Sequence, residues 1–324
     1  MAGNRDRRAP GDGPLDASVL VATCNRAGLL RATLGRLARQ AVDGLRWEVI
    51  VVDNGSDDAT AAVLADARAR LPLVVLHEPR PGKNRALNRA LPIARGALLV
   101  FIDDDVEPGP GWLAAYVGAA RRWPSHAVFG GPVEPRLPPT APAWLATHAF
   151  AVAAFARFDP QAVEGPCASL PFGPNFTVRA ARMAGFTFRE DMGPQGGGHD
   201  LMGGETELLL RLAAAGEVVV FVPGARLRHV IQPHQTTPEW LFRRAFRHGR
   251  TYRRLHADAR RRVLASSRLC ARLAARWLAH VVAARTGERA RIEAGIKLFQ
   301  VRGQLYEHAR ARPATRRMAE LLLP

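Results

Sequence analysis

Three consecutive aspartates, Asp103, Asp104 and Asp105, follow a run of six apolar residues, 97–102. Adjacent carboxylates repel one another and raise the free energy of the folded chain unless a positive group offsets them. A divalent cation that prefers oxygen ligands, such as Mn²⁺ or Mg²⁺, is the natural partner. Helix capping is the alternative, but a cap requires one carboxylate rather than three. The run therefore indicates a site for a divalent metal.

A repeated pattern of strand, loop and helix positions this acidic run. Short apolar segments predict strands at 17–23, 47–53, 73–77 and 97–102, and helix-period stretches follow them, one of them at 83–95. Near-continuous apolar strands that alternate with helices predict an α/β fold, with a mostly parallel sheet covered on both faces. Ligands of such sheets bind at the carboxyl ends of the strands, where Asp53 and the three aspartates lie.

The composition excludes several classes of protein. The chain has 324 residues, of which 48% are hydrophobic and 23% charged, so disorder, collagen and a disulfide-stapled mini-protein do not fit. Three widely spaced cysteines argue against a disulfide framework and a thiolate zinc site, and they favour a cytoplasmic location. No stretch of 18 uncharged apolar residues predicts a membrane-spanning helix. Residues 1–16 lack the apolar block of a secretory signal, and we expect a disordered tail there.

The net charge of +17 is concentrated in the last part of the chain. Residues 226–324 contain 23 basic and 6 acidic residues, whereas residues 1–225 contain 23 of each. In this part Arg268, Arg272, Arg276 and His280 recur every four residues, beside a parallel series of apolar residues, which predicts a basic amphipathic helix. Such a helix docks on anionic lipid headgroups, binds nucleic acid, or packs on the protein with its arginines in water; nucleic acid is the least favoured of these.

Several motifs together make the chain resemble the family 2 glycosyltransferases, which have the GT-A (Rossmann-like) fold and use nucleotide-sugars. The resemblance spans about residues 18–233. The matching segments are Ser18–Arg26 (SVLVATCNR), Val51–Asp57 (VVDNGSD), Gly82–Asn88 (GKNRALN), Phe101–Asp105 (FIDDD) and Gly204–Leu212 (GETELLLRL). It implies a GT-A domain at 17–233, followed by a basic helical region at 234–324.

The resemblance also implies roles for individual residues. Asp103 and Asp105 match the family's metal-binding D-x-D element, and His229 stands where relatives often have a further metal ligand. Asp53 matches the residue that recognises the base or the ribose. The residues that it implies around the nucleotide are Thr23, Asn25, Arg26, Asp53, Lys83, Asn88, Asp103 and Asp104.

Glu205 matches the catalytic base of the family, which follows a loop and opens a helix. Many relatives read Gly-Glu-Asp-Thr-Glu here, whereas this chain has Gly204 at the usual Glu position and Glu205 at the usual Asp position. Glutamate can accept the same proton with one more methylene group. Asp200 and Glu207 remain alternative bases. Glu205 could instead have only a structural role, because an acidic side chain in the first turn of a helix is stabilised by the helix macrodipole.

The sequence thus predicts an inverting, metal-dependent glycosyltransferase that transfers a sugar, which we expect to come from a UDP-sugar, to a hydroxyl acceptor in polysaccharide or glycoconjugate synthesis. The acceptor is a glycan, a lipid-linked molecule or a small molecule. The basic helices predict peripheral attachment to an anionic membrane surface. Two alternatives stay open: a nucleotidyltransferase or sugar-nucleotide pyrophosphorylase, and an inactive α/β module that binds membrane or nucleic acid.

Overall fold

The computed structural model describes residues 14–197, 200–256, 264–311, 319–320 and 322–323. Its strands are β1 (Leu15–Thr23), β2 (Trp47–Asp53), β3 (Leu73–His77), β4 (Gly96–Ile102), β5 (Val106–Pro108), β6 (Val128–Gly130), β7 (Val133–Arg136), β8 (Gly165–Cys167), β9 (Asn175–Arg179), β10 (Val219–Phe221) and β11 (Leu227–Val230). Its α-helices are α1 (Ala27–Leu37), α2 (Thr60–Ala67), α3 (Lys83–Ala90), α4 (Trp112–Arg122), α5 (Ala149–Ala154), α6 (Ala180–Met183), α7 (Gly204–Ala214), α8 (Pro238–Leu255), α9 (Leu264–Ala283) and α10 (Glu288–Arg310).

An eight-stranded sheet forms the centre, in the order β3-β2-β1-β4-β9-β6-β10-β8. Strands β3, β2, β1 and β4 are parallel to one another, whereas β9 runs antiparallel to both of its neighbours and β8 runs antiparallel to β10. A smaller sheet, β5-β11-β7, lies beside it. The predicted mostly parallel α/β fold is therefore confirmed.

The register of the parallel strands brings the predicted site residues to one edge. Thr23 lies opposite Asp53, and Val21 lies opposite Ile102, so the residues after β1, β2 and β4 emerge together. Alternate residues of β1 enter hydrophobic clusters on the two faces of the sheet: Val19 and Val21 on one, Leu20 on the other. Burial on both faces explains why these strands are almost continuously apolar.

Three predicted boundaries need correction, those of β1, β4 and α3. Strand β4 begins at Gly96, one residue earlier than predicted. The first strand begins at Leu15, because the Asp16 backbone N–H donates to the Arg46 carbonyl and the Asp16 carboxylate pairs with Arg121. The end of the predicted tail is therefore part of the sheet, and residues 1–13 lie outside the described residues. Helix α3 ends at Ala90 rather than at residue 95, since Pro92 has no N–H with which to continue it.

Two of the C-terminal helices share a hydrophobic cluster with the preceding part of the chain. Leu241 and Ala245 of α8 and Ile292 and Ile296 of α10 pack with α5 and with Ile231. Helices α8 and α10 therefore pack on the preceding part of the chain through these buried apolar residues. Among the described helices, none is both long and apolar enough to cross a membrane.

Candidate active site

The three aspartates at the end of β4 point to different partners. Asp103 accepts a hydrogen bond from the Lys83 ammonium, with an Nζ–Oδ1 distance of 2.5 Å. Asp104 accepts from the Thr23 hydroxyl at 2.7 Å and from Arg26 Nη1 at 2.6 Å, and Asp105 accepts from Arg26 Nη2 at 2.5 Å. Asp104 and Asp105 are buried, so these carboxylates face protein groups rather than open solvent.

One guanidinium therefore bridges two buried carboxylates. Burial and the neighbouring Asp105 charge raise the pKa of Asp104 to about 7, against the lowering effect of Arg26. Burial also acts to raise the pKa of Asp105, but the charges of His229 and Arg26 outweigh it and lower that pKa. Arg26 thus neutralises the acidic edge of the sheet in this state.

Lys83 makes a second bridge, between Asp103 and the start of α7. Its Nζ lies 2.5 Å from Asp103 Oδ1 and 2.5 Å from Glu205 Oε1, although 122 residues separate Lys83 and Glu205 in the chain. Burial acts against both charges, but the mutual attraction of Lys83 and Glu205 raises the lysine pKa and lowers the glutamate pKa. Glu205 is therefore ionised at neutral pH, which is the state that accepts a proton.

His229 of β11 lies against Asp105, with a distance of 3.5 Å between Nε2 and Oδ2. Its Nδ1 is 2.8 Å from the Phe155 carbonyl oxygen, so Nδ1 carries the proton and Nε2 faces the carboxylate. The nearby Asp105 charge outweighs burial and raises the pKa of His229. An imidazole held by a backbone carbonyl in this way is typical of a metal ligand.

The side chains at this edge provide some of the ligands that a divalent cation requires. Asp105 Oδ1 is buried and has no hydrogen-bond partner in the described part of the chain, which is the state expected of an oxygen that receives a cation. Asp103 is turned towards Lys83 instead. Within the described residues, no three His, Cys, Asp or Glu side chains converge closely enough to hold a metal ion as they stand. Asp105 and His229 therefore form the part of the site that is already assembled.

The loops after β1 and β2 are tied to each other beside these acids. The Asn25 backbone N–H donates to Ser56 Oγ, and its side-chain oxygen accepts from the Asp57 N–H. Asp53 Oδ1 accepts from the Ser56 N–H at 3.0 Å, a contact within the turn that follows β2. Asp53 also lines a cavity of about 180 Å³ together with His77 and Arg68.

Asn88 is the one predicted nucleotide residue that the structure directs away from this edge. Its Nδ2 donates to the Phe188 carbonyl, and its Oδ1 accepts from the Phe188 N–H, both at 2.8 Å. The amide pairs fully with one backbone position, so Asn88 anchors the segment around Phe188. The prediction that it contacts the nucleotide is corrected for this reason.

The alternative bases are engaged in structural contacts. Glu207 is buried and pairs with Arg211, four residues later on α7, at 2.9 Å. Asp200 Oδ2 accepts from the backbone N–H groups of Gln195 and Gly197. Of the three candidate acids, only Glu205 contacts Lys83 and so joins the network of the acidic edge.

Comparison with known proteins supports the predicted family. Residues 18–169 match the family model described as glycosyl transferase family 2. This matched segment, just under half of the chain, belongs to glycosyl transferase family 2. The chain, a glycosyltransferase, is 28% identical to the succinoglycan biosynthesis protein ExoM of Rhizobium meliloti over 248 residues, which cover 75% of this chain and 76% of ExoM. It is 38% identical to a validoxylamine A glucosyltransferase of Streptomyces hygroscopicus over 119 residues, 35% of this chain and 28% of that relative.

Solved structures share the fold of this glycosyltransferase. The mannosyltransferase PcManGT from Pyrobaculum calidifontis, in complex with GDP-Man and Mn²⁺, superposes with a TM-score of 0.56 and 20% identity over 91% of this chain and 88% of its own. The S. aureus TarS 1–349 structure in complex with UDP superposes with a TM-score of 0.53 and 14% identity, over 93% and 92%. These likenesses establish the GT-A fold.

The unusual Gly204 of this glycosyltransferase has a steric explanation. A Cβ at residue 204 would lie 2.2 Å from Asn84 Nδ2, and Asn84 is buried, with that amide donating to the Arg189 carbonyl. Helix α3 therefore approaches the start of α7 so closely that the glutamate of many relatives does not fit at this position.

Sequence reasoning missed two groups that surround the catalytic edge. Gly173 lies so close to Glu205 that a Cβ there would be 2.8 Å from the carboxylate. Arg244 of α8 donates to the Ala154 carbonyl, next to the Phe155 carbonyl that holds His229, and its charge helps to lower the pKa of Glu205. Nothing in the sequence distinguishes Arg244 from its arginine neighbours, since its partners come from remote segments.

Proposed function

We propose that this glycosyltransferase is an inverting, metal-dependent enzyme that uses a nucleotide-diphosphate sugar, with a UDP-sugar as the expected donor. The observation that carries the proposal is the pairing of two half-sites at one sheet edge. Asp105 and His229, with an unpartnered carboxylate oxygen, form one half, and the Glu205–Lys83 ion pair forms the other. Metal binding and proton acceptance require these two groups.

The reaction is a single in-line displacement. The acceptor hydroxyl loses its proton to a Glu205 carboxylate oxygen while its own oxygen bonds to the anomeric carbon of the donor. The bond from that carbon to the diphosphate breaks at the same time, and its electron pair leaves with the diphosphate. Attack opposite the leaving group inverts the anomeric configuration, and base catalysis of this kind contributes about 10²–10⁴ in rate.

Asp105 and His229, joined by Asp103 once Lys83 releases it, would hold the divalent cation. A bound cation would supply Lewis-acid stabilisation of the charge on the departing diphosphate. Asp53 would accept a hydrogen bond from the base or the ribose through the oxygen that Ser56 does not occupy. Thr23, Asn25, Arg26, Lys83 and Asp104 complete the proposed nucleotide side of the cleft.

The relatives guide the proposal on substrates. ExoM is a succinoglycan biosynthesis protein and matches most of this chain, so we propose that the acceptor belongs to polysaccharide or glycoconjugate synthesis. PcManGT binds GDP-Man and TarS binds UDP, so the base must be determined by experiment with both nucleotides.

Transfer from UDP-, GDP- and dTDP-sugars in the presence of Mn²⁺ tests the proposed reaction. We expect Glu205→Gln to lower kcat about 10²–10⁴-fold with little change in donor binding, because the amide cannot accept the proton. Glu207→Gln, two residues later on the same helix, is the matched control and should keep most of the activity. NMR of the product gives the anomeric configuration. A retained configuration, or full activity of Glu205→Gln, would contradict the mechanism.

Removal of Asp105 tests the metal proposal separately. Asp105→Ala removes the carboxylate with the unpartnered oxygen, so we expect both stimulation by Mn²⁺ and binding of Mn²⁺ in calorimetry to be lost. Asp53→Ala is the control, because it changes an acid of the same edge that is assigned to the nucleoside. Unchanged Mn²⁺ binding by Asp105→Ala would rule the assignment out.

We further propose that α9 attaches the enzyme to an anionic membrane surface. Trp277, Leu278 and Val282 are more than half exposed. Helix α9 contains no acidic residue, and Arg272 and Arg276 are exposed beside this apolar face. An apolar face with a tryptophan and flanking arginines is the composition of a helix that lies in the interface of a bilayer.

A further inference from the structure

Helix α8 places a third cation, Arg244, near the aspartates at the end of β4. Arg244 Nη2 donates to the Ala154 carbonyl at 3.0 Å, and His229 Nδ1 donates to the next carbonyl, that of Phe155, at 2.8 Å. Two consecutive carbonyls at the end of α5 therefore hold Arg244 and His229 side by side. Because His229 contacts Asp105, the guanidinium of Arg244 lies beside the assembled half of the proposed metal site.

The charge of Arg244 is not neutralised by an ion pair. Arg26 and Lys83 each bridge two carboxylates, whereas none of the ion pairs within the described residues includes Arg244. Its Nε is buried and has no hydrogen-bond partner in that part of the chain. Burial and the neighbouring Arg247 lower the pKa of Arg244 to about 10, which leaves it charged at neutral pH. A partly buried charge without a carboxylate partner costs free energy until an anion reaches it.

The guanidinium is also held in a fixed direction. Its carbon lies 5.6 Å from the centroid of the Trp240 ring, and Trp240 stacks on Phe155 at 5.9 Å. Arg247 follows after one helical turn and donates from Nε to the Asp200 carbonyl at 2.9 Å. Arg247 likewise makes no ion pair with a described carboxylate, so α8 presents two partly buried cations in the same region.

We propose that Arg244, assisted by Arg247, binds a phosphate group of a substrate in the catalytic cleft. A planar guanidinium with an unused N–H suits phosphate oxygens, which accept charge-assisted hydrogen bonds. The phosphate belongs either to the diphosphate of the donor or to a phosphorylated acceptor, such as a lipid-linked one. This inference rests on the proposed function, and it assigns a substrate contact to α8, which lies outside the segment that matches the family.

Binding by calorimetry tests the inference on the full-length protein, with Mn²⁺ in every titration. The donor arm compares UDP with uridine, and the acceptor arm compares farnesyl phosphate with farnesol. We expect Arg244→Ala to weaken UDP or farnesyl phosphate about 10–100-fold and to leave the unphosphorylated partner of that arm unchanged. Whichever arm responds identifies the source of the phosphate.

Arg243→Ala is the matched control, because Arg243 is the exposed arginine that precedes Arg244 on the same helix. It should bind all four probes like the wild type. Arg244→Lys keeps the positive charge but lacks the planar guanidinium, so it should bind the phosphorylated probe with intermediate affinity. If Arg244→Ala does not fold, as judged by its thermal unfolding, Arg244→Gln takes its place.

Two results would overturn the inference: unchanged phosphate binding in both arms, or an equal loss of the phosphorylated and unphosphorylated probes, which would show that Arg244 only shapes the pocket. Failure of the proposed function is distinguishable from these results. A wild-type enzyme that transfers no sugar, but binds phosphate through Arg244, would contradict the proposed reaction and leave the inference standing. Normal sugar transfer by the wild type, together with unchanged phosphate binding by Arg244→Ala, would support the proposed reaction and overturn the inference.

Discussion

The carboxylates and cations around the end of β4 form a connected set of ion pairs. Arg26 joins Asp104 to Asp105, and Lys83 joins Asp103 to Glu205. Each cation lies between two acids that would otherwise repel, so the pairing lowers the free energy of the folded chain. The phosphates of the proposed nucleotide-sugar donor are suited to compete for these cations. Binding of that donor would exchange these ion pairs for contacts with substrate.

Gly173 leaves the space that the Glu205 carboxylate occupies. We expect Gly173→Ala to lower kcat about 10-fold or more, because the new Cβ would lie 2.8 Å from the carboxylate and displace it from Lys83. Stability should change by only about 1 kcal/mol, since the displaced group is the end of a flexible side chain. Steady-state kinetics and thermal unfolding measure the two effects. Unchanged kcat would show that the position of Glu205 does not limit the reaction.

At the scale of elements, α8 connects the catalytic edge to the C-terminal helices. One face of α8 carries Arg244 and Arg247, and Thr251 binds the backbone of Met202, just before α7. Further along, Arg250 and Arg254 pair with Glu307 of α10, and Arg250 and Glu307 are both buried. The position of α10 is thereby coupled to the loop that precedes Glu205.

The contact between α8 and α10 depends on glycines at the crossing. A Cβ at Gly303 would lie 2.0 Å from the Phe246 carbonyl oxygen, which is backbone and cannot move aside without moving the helix. We expect Gly303→Ala to lower the free energy of unfolding by about 1–3 kcal/mol, the usual cost of overpacking. Denaturant unfolding measures it. Gly28→Ala on α1 is the control, because no atom lies within 4 Å of a Cβ there; equal stability of the two variants would contradict the close crossing.

Positive charge is distributed unevenly along the chain. The sequence up to residue 225 is balanced, and the excess of positive charge belongs to residues 226–324. Parts of this excess have different surroundings: Arg250 is buried beside Glu307, Arg244 approaches the catalytic edge, and the arginines of α9 are exposed. A long-range field from the exposed arginines would attract an anionic surface most strongly at low salt.

Flotation with liposomes tests the attachment of α9. We expect the wild type to float with anionic vesicles and less so with neutral ones, and raised salt should weaken the binding. Replacing Trp277 and Val282 by serine should reduce flotation several-fold, because it removes exposed apolar area that would enter the interface. Val163→Ser, which changes an apolar residue that is 70% exposed outside α9, is the control. Equal flotation of all three proteins would contradict the proposal.

The sequence by itself determined strands β1–β4 to within about two residues, their order along the chain and the acids at the ends of β2 and β4. Strands β2 and β3 have the predicted bounds, because buried β-strands must be apolar and chain-local patterns record that requirement. Similarly, the resemblance pointed to Asp105, His229 and Glu205, which the structure brings to one edge. The basic amphipathic character of α9 was also visible from spacing alone.

Only the tertiary structure decided which partner each polar group has. Asn88 and Lys83 belong to the same predicted helix, yet Asn88 binds the backbone of Phe188 and Lys83 binds Asp103 and Glu205. Arg243 and Arg244 are adjacent in sequence, but Arg243 is exposed, whereas Arg244 donates to the Ala154 carbonyl beside the one that holds His229. These differences depend on contacts between segments up to about 120 residues apart, which strand order and helix packing set and which local patterns do not record.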